Sequence, residues 1–187
     1  MNAPIDVSSL YIETSRLLLR PFIEADLPDF YAYAKVPDVG EWAGWAHHGS
    51  IEESSRVLQL FISEKKTLAL VEKKTSRVVG SLGIEEYHCP LPKEYDALQG
   101  RELGYVLAKD KWGQGYMSEA VRAVIDYCFS TLNLDFLVCA HFARNERSKR
   151  VIQKAGFRLM GHDVYVTRYG TKEDDCYYVL DNPKRAL

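Results

Sequence analysis

The segment Trp112-Gly113-Gln114-Gly115-Tyr116-Met117-Ser118-Glu119-Ala120 sets two glycines one residue apart. A strand-like run precedes it (Leu103, Tyr105, Val106, Leu107), and a periodic helical run follows. Glycine lets a backbone approach a ligand closely and adopt positive φ. The helix start beyond it offers free N–H groups and a partial positive charge. Strand, glycine turn and helix start in this order form a cradle suited to phosphate groups.

Outward from this turn the chain reads as mixed α and β. From Met117 the apolar positions Ala120, Val121, Val124, Ile125, Cys128, Phe129 and Leu132 follow a 3.6-residue period. Strands are predicted over 16–22, 67–72, 78–87, 101–108, 135–142, 157–167 and 176–180. Helices are predicted over 24–35, from Ser50 to about Lys65, and over 146–155. Ser50 and Glu53 have the spacing of a capping box, and Val57, Leu58, Phe61 and Ile62 form the buried face of their helix. Asn145 caps the last helix and Gly156 ends it. Segments 36–49 and 88–100 read as loops. The strand–helix–strand order over 101–142 implies a parallel crossover.

The length of 187 residues suits one domain, expected over 1–187 with its core over about 14–182. Apolar content of 47% and charged content of 27% fit a globular protein, and no apolar run approaches a membrane span. The first residues lack the basic and apolar regions of a secretory signal, so a cytoplasmic location is expected. Cys89, Cys128, Cys139 and Cys176 form no CxxC pair, and His47 and His48 are adjacent rather than one helical turn apart. No metal is expected. Charge is uneven. Residues 24–53 hold seven acids and one lysine, whereas 141–158 hold six bases and one acid. Either the helices solvate their outer faces, or the basic segment meets an anionic ligand and the acidic one a cationic ligand. On the second reading the acceptor would meet Asp38, Glu41 or Glu52, and the anion Arg147, Lys149 or Arg150.

Residues 112–117 resemble motif A of the GNAT N-acetyltransferases, which binds the pyrophosphate of acetyl-CoA. The Trp-Gly-x-Gly-Tyr form is similar to the branch containing the Rim-type acetyltransferases of ribosomal-protein N-termini. Glu13-Thr14-Ser15-Arg16-Leu17-Leu18-Leu19-Arg20-Pro21 resembles that branch's opening strand. Asn145-Glu146-Arg147-Ser148 with Gly156-Phe157 resembles its Asn-x-x-Ser…Gly-Phe segment. The resemblance implies an α/β (α+β) fold: a twisted, mostly antiparallel sheet, flanked by helices, with central strands splayed around acetyl-CoA.

The resemblance also assigns roles. Main chain from Trp112, Gly113, Gln114, Gly115, Tyr116, Met117 and Ser118 would hold the pyrophosphate, and main chain of Tyr105, Val106 and Leu107 the thioester, with the Tyr105 and Leu107 side chains in the core. Asn145 and Lys149 would also contact the cofactor. The tyrosine many members place shortly before Gly-Phe is Ile152 here, which leaves Ser148 either to protonate the leaving thiolate or to pack. Glu102 is the candidate base, with Glu85, Glu86 and His88 as alternatives; each could equally be a solvated side chain. A base could be dispensable for an α-amine, whose pKa is ~7.7–8.0. The implied activity is acetyl transfer to a primary amine, preferably a protein N-terminal α-amine. Alternatives are a small cationic amine (polyamine or aminoglycoside) or an acyl-CoA-binding module without turnover. No direct nucleic-acid or membrane partner is expected, and the chain would be a monomer or homodimer.

Overall fold

The computed structural model describes residues 1–185. In chain order the elements are β1 (Ile12–Glu13), β2 (Leu17–Pro21), α1 (Leu27–Ala34), α2 (Ile51–Glu64), β3 (Thr67–Glu72), β4 (Arg77–Glu85) and β5 (Gly100–Leu107). There follow α3 (Tyr116–Ser130), β6 (Phe136–Phe142), α4 (Glu146–Lys154), β7 (Arg158–Val166) and β8 (Lys172–Asp181). The strands form one sheet in the order β1-β2-β3-β4-β5-β6-β8-β7. Every neighbouring pair is antiparallel except β5–β6, which α3 links as the predicted parallel crossover.

That parallel pair shapes the molecule. Only Gly100, Arg101 and Glu102 pair with β6, opposite Phe136, Leu137 and Val138. Beyond them β5 stays with β4 as far as Leu107, and β6 stays with β8 as far as Phe142. Strand backbones must pair or be solvated, so the β6-facing edge of residues 103–107 is left available. At the fork the Cys139 thiol donates to the Leu103 carbonyl at 3.2 Å, a side chain taking the place of a ladder bond. Gly100 permits the close approach at the joined end: a Cβ there would lie 2.3 Å from the Phe136 ring.

The core follows the hydrophobic pattern. In β3 every residue from Thr67 to Glu72 is buried, as expected of a strand covered on both faces. On α3 the predicted stripe from Ala120 to Phe129 is buried. Leu58 of α2 is fully buried, while Val57, Phe61 and Ile62 pack half-buried at its margin.

Several boundaries differ from the sequence reading for identifiable reasons. The helix predicted over 24–35 opens as a 3₁₀ turn at Glu24–Asp26, and α1 begins only at Leu27, with Pro28 in its first turn. The buried Asp26 carboxylate instead accepts two bonds from the Arg20 guanidinium, at 2.8 and 2.7 Å. At α2, Ser50 accepts from the Glu53 N–H at 3.3 Å, but Glu53 reaches back to the N–H of Gly49 rather than of Ser50. The closing strand β8 begins four residues before Cys176, because Lys172, Glu173 and Asp174 pair with β7 before β6 joins at Asp175. Its polar start gives no strand signal of its own. No helix among the described residues is long and apolar enough to cross a membrane.

Candidate active site

The fork between β5 and β6 opens into a cleft of about 530 Å³. Residues of β5, the glycine turn, the first turn of α3 and α4 line it. Gly113 and Gly115 have φ of +74° and +82°, the left-handed region in which a side chain is strained. The starts of α3 and α4 therefore converge on one space, and each brings unpaired N–H groups and positive potential. On α4, Asn145 Oδ1 accepts from the Ser148 N–H at 3.1 Å, so the predicted cap is in place.

The turn is braced from several sides. The Trp112 indole N–H donates to the Leu107 carbonyl at 2.8 Å, fastening the turn to the end of β5. Arg16 donates to the Gln114 carbonyl at 2.8 Å and to Glu119 at 2.7 Å. Glu119 also accepts from Thr14, Ser15 and the Arg16 backbone N–H. Although partial burial opposes it, these bonds hold the Glu119 carboxyl down at about 2. Lys111, Tyr116 and Thr75 donate to Glu72, whose carboxyl also falls to about 2. Met117 is buried among core residues.

The cleft has two polarities. Arg147, Arg150, Lys154 and Lys111 line it together with the two helix starts. Arg147 stacks over the Trp112 ring at 4.1 Å and lies 5.1 Å from the Trp42 ring. Glu85, Glu102 and Asp175 also line the cleft. Glu85 and Glu102 are register partners across β4 and β5. Burial, then the charges of Asp175 and Glu85, push the Glu102 carboxyl up to about 7. Burial and Asp163 push Asp175 up to about 6. A carboxyl near 7 can take a proton at neutral pH and release it again.

Most of the residues singled out from sequence meet here. Glu102, Tyr105, Val106, Leu107, Trp112, Gly113, Gly115, Tyr116, Met117, Ser118, Asn145 and Ser148 all line the cleft. Gln114 and Lys149 stand outside that lining: Gln114 Nε2 donates to the Asp110 carbonyl, and Lys149 pairs with Glu146. Among the alternative bases, Glu85 lines the cleft, while Glu86 and His88 are exposed away from it. Leu107 is buried as expected, whereas Tyr105 is half-buried and reaches the cleft; its hydroxyl lies 2.8 Å from Ser148 Oγ. Ile152 is fully buried.

The charge runs of the sequence map only partly onto the cleft. Asp38 pairs with Lys109 and Glu41 with His47, and neither they nor Glu52 line it. The acids that do line it come from β4, β5 and β8. Among the described residues no cluster of three or more His, Cys, Asp or Glu side chains is arranged to hold a metal ion.

Comparison with known proteins agrees with this geometry. A family model described as an acetyltransferase (GNAT) domain matches residues 16–158. An uncharacterized N-acetyltransferase of Bacillus subtilis, YoaA, is 28% identical over 179 residues, covering 92% of this chain and 97% of that one. Ribosomal-protein-S5-alanine acetyltransferase from Vibrio fischeri superposes with a TM-score of 0.75 at 20% identity, over 96% of this chain and all of that one. Spermidine N-acetyltransferase from Vibrio cholerae, solved with CoA and spermine, gives 0.73 at 17% identity, over 91% and 98%. At these identities the two structures show a shared fold.

Proposed function

Because the chain belongs to the GNAT acetyltransferases, whose domain matches residues 16–158, we propose that it moves an acetyl group from acetyl-CoA to a protein N-terminal α-amine. The observation that carries this reading is the two-sided cleft: one side with the glycine turn, two helix starts and basic side chains, and on the other Glu102, its carboxyl pushed up to about 7, among further carboxylates.

Main-chain N–H groups of Gly113 to Ser118 hold the pyrophosphate, helped by the positive potential of Arg147, Arg150 and Lys154. Main-chain N–H groups of Tyr105 and Leu107, on the edge of β5 that faces the fork, polarise the thioester carbonyl as it gains negative charge, while Val106 between them pairs with Ser81 of β4. Glu102 takes a proton from the incoming ammonium, and the neutral amine attacks. As the C–N bond forms and the C–S bond breaks, Ser148 gives its hydroxyl proton to sulfur. The nitrogen's second proton restores the serine, so charge and protons balance.

The acceptor preference follows from matching acidities. An α-ammonium ionises at ~7.7–8.0 and a lysine-type ammonium at ~10.4. A base near 7 therefore faces a gap of about one pK unit with the first and about three with the second. One observation favours a second reading. Three carboxylates line the cleft, which suits an acceptor carrying more than one positive charge, such as a polyamine. Family membership sets aside the binding module without turnover.

Thiol release from acetyl-CoA tests the choice. The panel is short peptides with free N-termini, the same peptides blocked, and spermidine. A kcat/KM highest for free N-termini and abolished by blocking supports the first reading. Turnover with spermidine alone selects the second, and no turnover with any amine overturns both.

A further inference from the structure

Ser148 sits at the start of α4, with its backbone N–H committed to Asn145 Oδ1. Its hydroxyl meets one side chain, the phenol of Tyr105, at 2.8 Å. The two residues are 43 positions apart and meet because β5 and α4 flank the same fork. The tyrosine of the family motif is replaced here by Ile152, which is fully buried in the core. A phenol nevertheless stands next to the serine, supplied by the strand instead of the helix.

A serine hydroxyl has one proton to give and two lone pairs to receive. Left alone, its rotor can turn toward solvent, the helix backbone or the cleft. We propose that Tyr105 is a positioning residue: its hydroxyl donates to Ser148 Oγ and so turns the serine proton toward the departing sulfur. This rests on the reading of Ser148 as the thiolate's proton donor. Tyr105 does not lose its own proton. Burial pushes its ionisation well above the ordinary tyrosine range, so the phenol remains a fixed donor through the reaction. Behind it the Cys139 sulfur also lies within reach of the phenol, its own hydrogen committed to the Leu103 carbonyl, while Ser148 Oγ is the contact at 2.8 Å. The aromatic ring, held between β5 and α4, gives that donor little freedom to wander.

The test is a double-mutant cycle with Tyr105→Phe, Ser148→Ala and the pair, all checked for native melting. Acetyl-CoA affinity is measured by calorimetry and kcat with the best amine of the panel. Phenylalanine keeps the ring, so packing is preserved. Tyr105→Phe should lower kcat by roughly tenfold, leave acetyl-CoA affinity within about twofold, and add no further loss to Ser148→Ala. If Tyr105→Phe is silent, or costs the same factor in the alanine background, Tyr105 does not act through Ser148 and the proposal is overturned while the serine role stands. If Ser148→Ala is itself silent, the serine role falls and the positioning role falls with it.

Discussion

Glu119 on α3 accepts from Arg16 Nε at 2.7 Å, joining residues 103 positions apart. The same arginine holds the Gln114 carbonyl, so the amino-terminal strand region and the glycine turn form one braced unit. Both carboxylates that brace the turn, Glu119 and Glu72, titrate near 2 against an ordinary value of 4.5. A depressed carboxyl adds stability above its unfolded pKa and loses it as pH falls toward the folded one. Urea unfolding should therefore show stability falling between about pH 5 and pH 2. Glu119→Gln and Glu72→Gln should each lower stability at pH 7 and flatten that acid limb. Curves parallel to wild type would remove these two groups from the acid response.

The raised Glu102 carboxyl gives the opposite kind of signature. It is protonated below about 7, so kcat/KM should rise through neutral pH as the base becomes available. Glu102→Gln should abolish that limb and cost ~10²–10⁴-fold in rate. Asp175→Asn removes a neighbouring charge and should move the limb to lower pH. A pH profile unmoved by both substitutions would mean that the amine arrives already neutral.

Gly113 and Gly115 differ in what a side chain would meet. Nothing lies within 4 Å of a Cβ built on Gly113, while one on Gly115 lies 3.5 Å from Arg16. At both sites the main penalty is backbone, at ~1–2 kcal/mol for a left-handed non-glycine residue. Replacement of either by valine should weaken acetyl-CoA binding roughly tenfold as the turn relaxes away from its cradle geometry. Calorimetry with unchanged affinity in both variants would take the pyrophosphate elsewhere.

The two polarities of the cleft can be separated kinetically. Arg147→Ala or Arg150→Ala should raise the acetyl-CoA KM several-fold, and more at low salt, because screening acts over ~8–10 Å. Glu85→Gln or Asp175→Asn should instead raise the acceptor KM. Asp38→Asn, Glu41→Gln and Glu52→Gln should leave both alone, because those side chains stand off the cleft. An acceptor KM that follows Asp38, Glu41 or Glu52 would move acceptor recognition to the 36–49 loop and α2.

How much of this was legible in the sequence depends on the range of each interaction. The glycine turn, the α3 stripe and the Asn145 cap are local patterns, and the structure forms them where the residues indicate. The carboxylate cluster was not legible as a unit. Glu85 and Glu102 become neighbours only through strand register, and Asp175 lies in a polar run that reads as a turn until β6 and β7 enclose it. The linear charge runs point to Asp38 and Glu41 without showing that these acids pair with Lys109 and His47 and stand outside the cleft lining. Tyr105 shows the same limit. Its alternation on β5 indicates burial, and only the packing of α4 reveals that its hydroxyl end reaches a serine.

The three-residue pairing of β5 with β6 also bears on cooperativity. The sheet consists of a five-stranded half and a three-stranded half coupled by a short seam. On one side Tyr105 and the Leu107 N–H, and on the other residues 139–142, offer spare backbone edge, the Leu103 and Leu107 carbonyls being held by Cys139 and Trp112. A molecule lying in the fork and bonding to both would act as a surrogate strand, completing the mechanical link between the halves. Substrate occupancy and the unity of the fold are then the same variable. Amide protons along both edges would slow their exchange together when the fork is filled, and the two halves would melt as one body more sharply than they do empty.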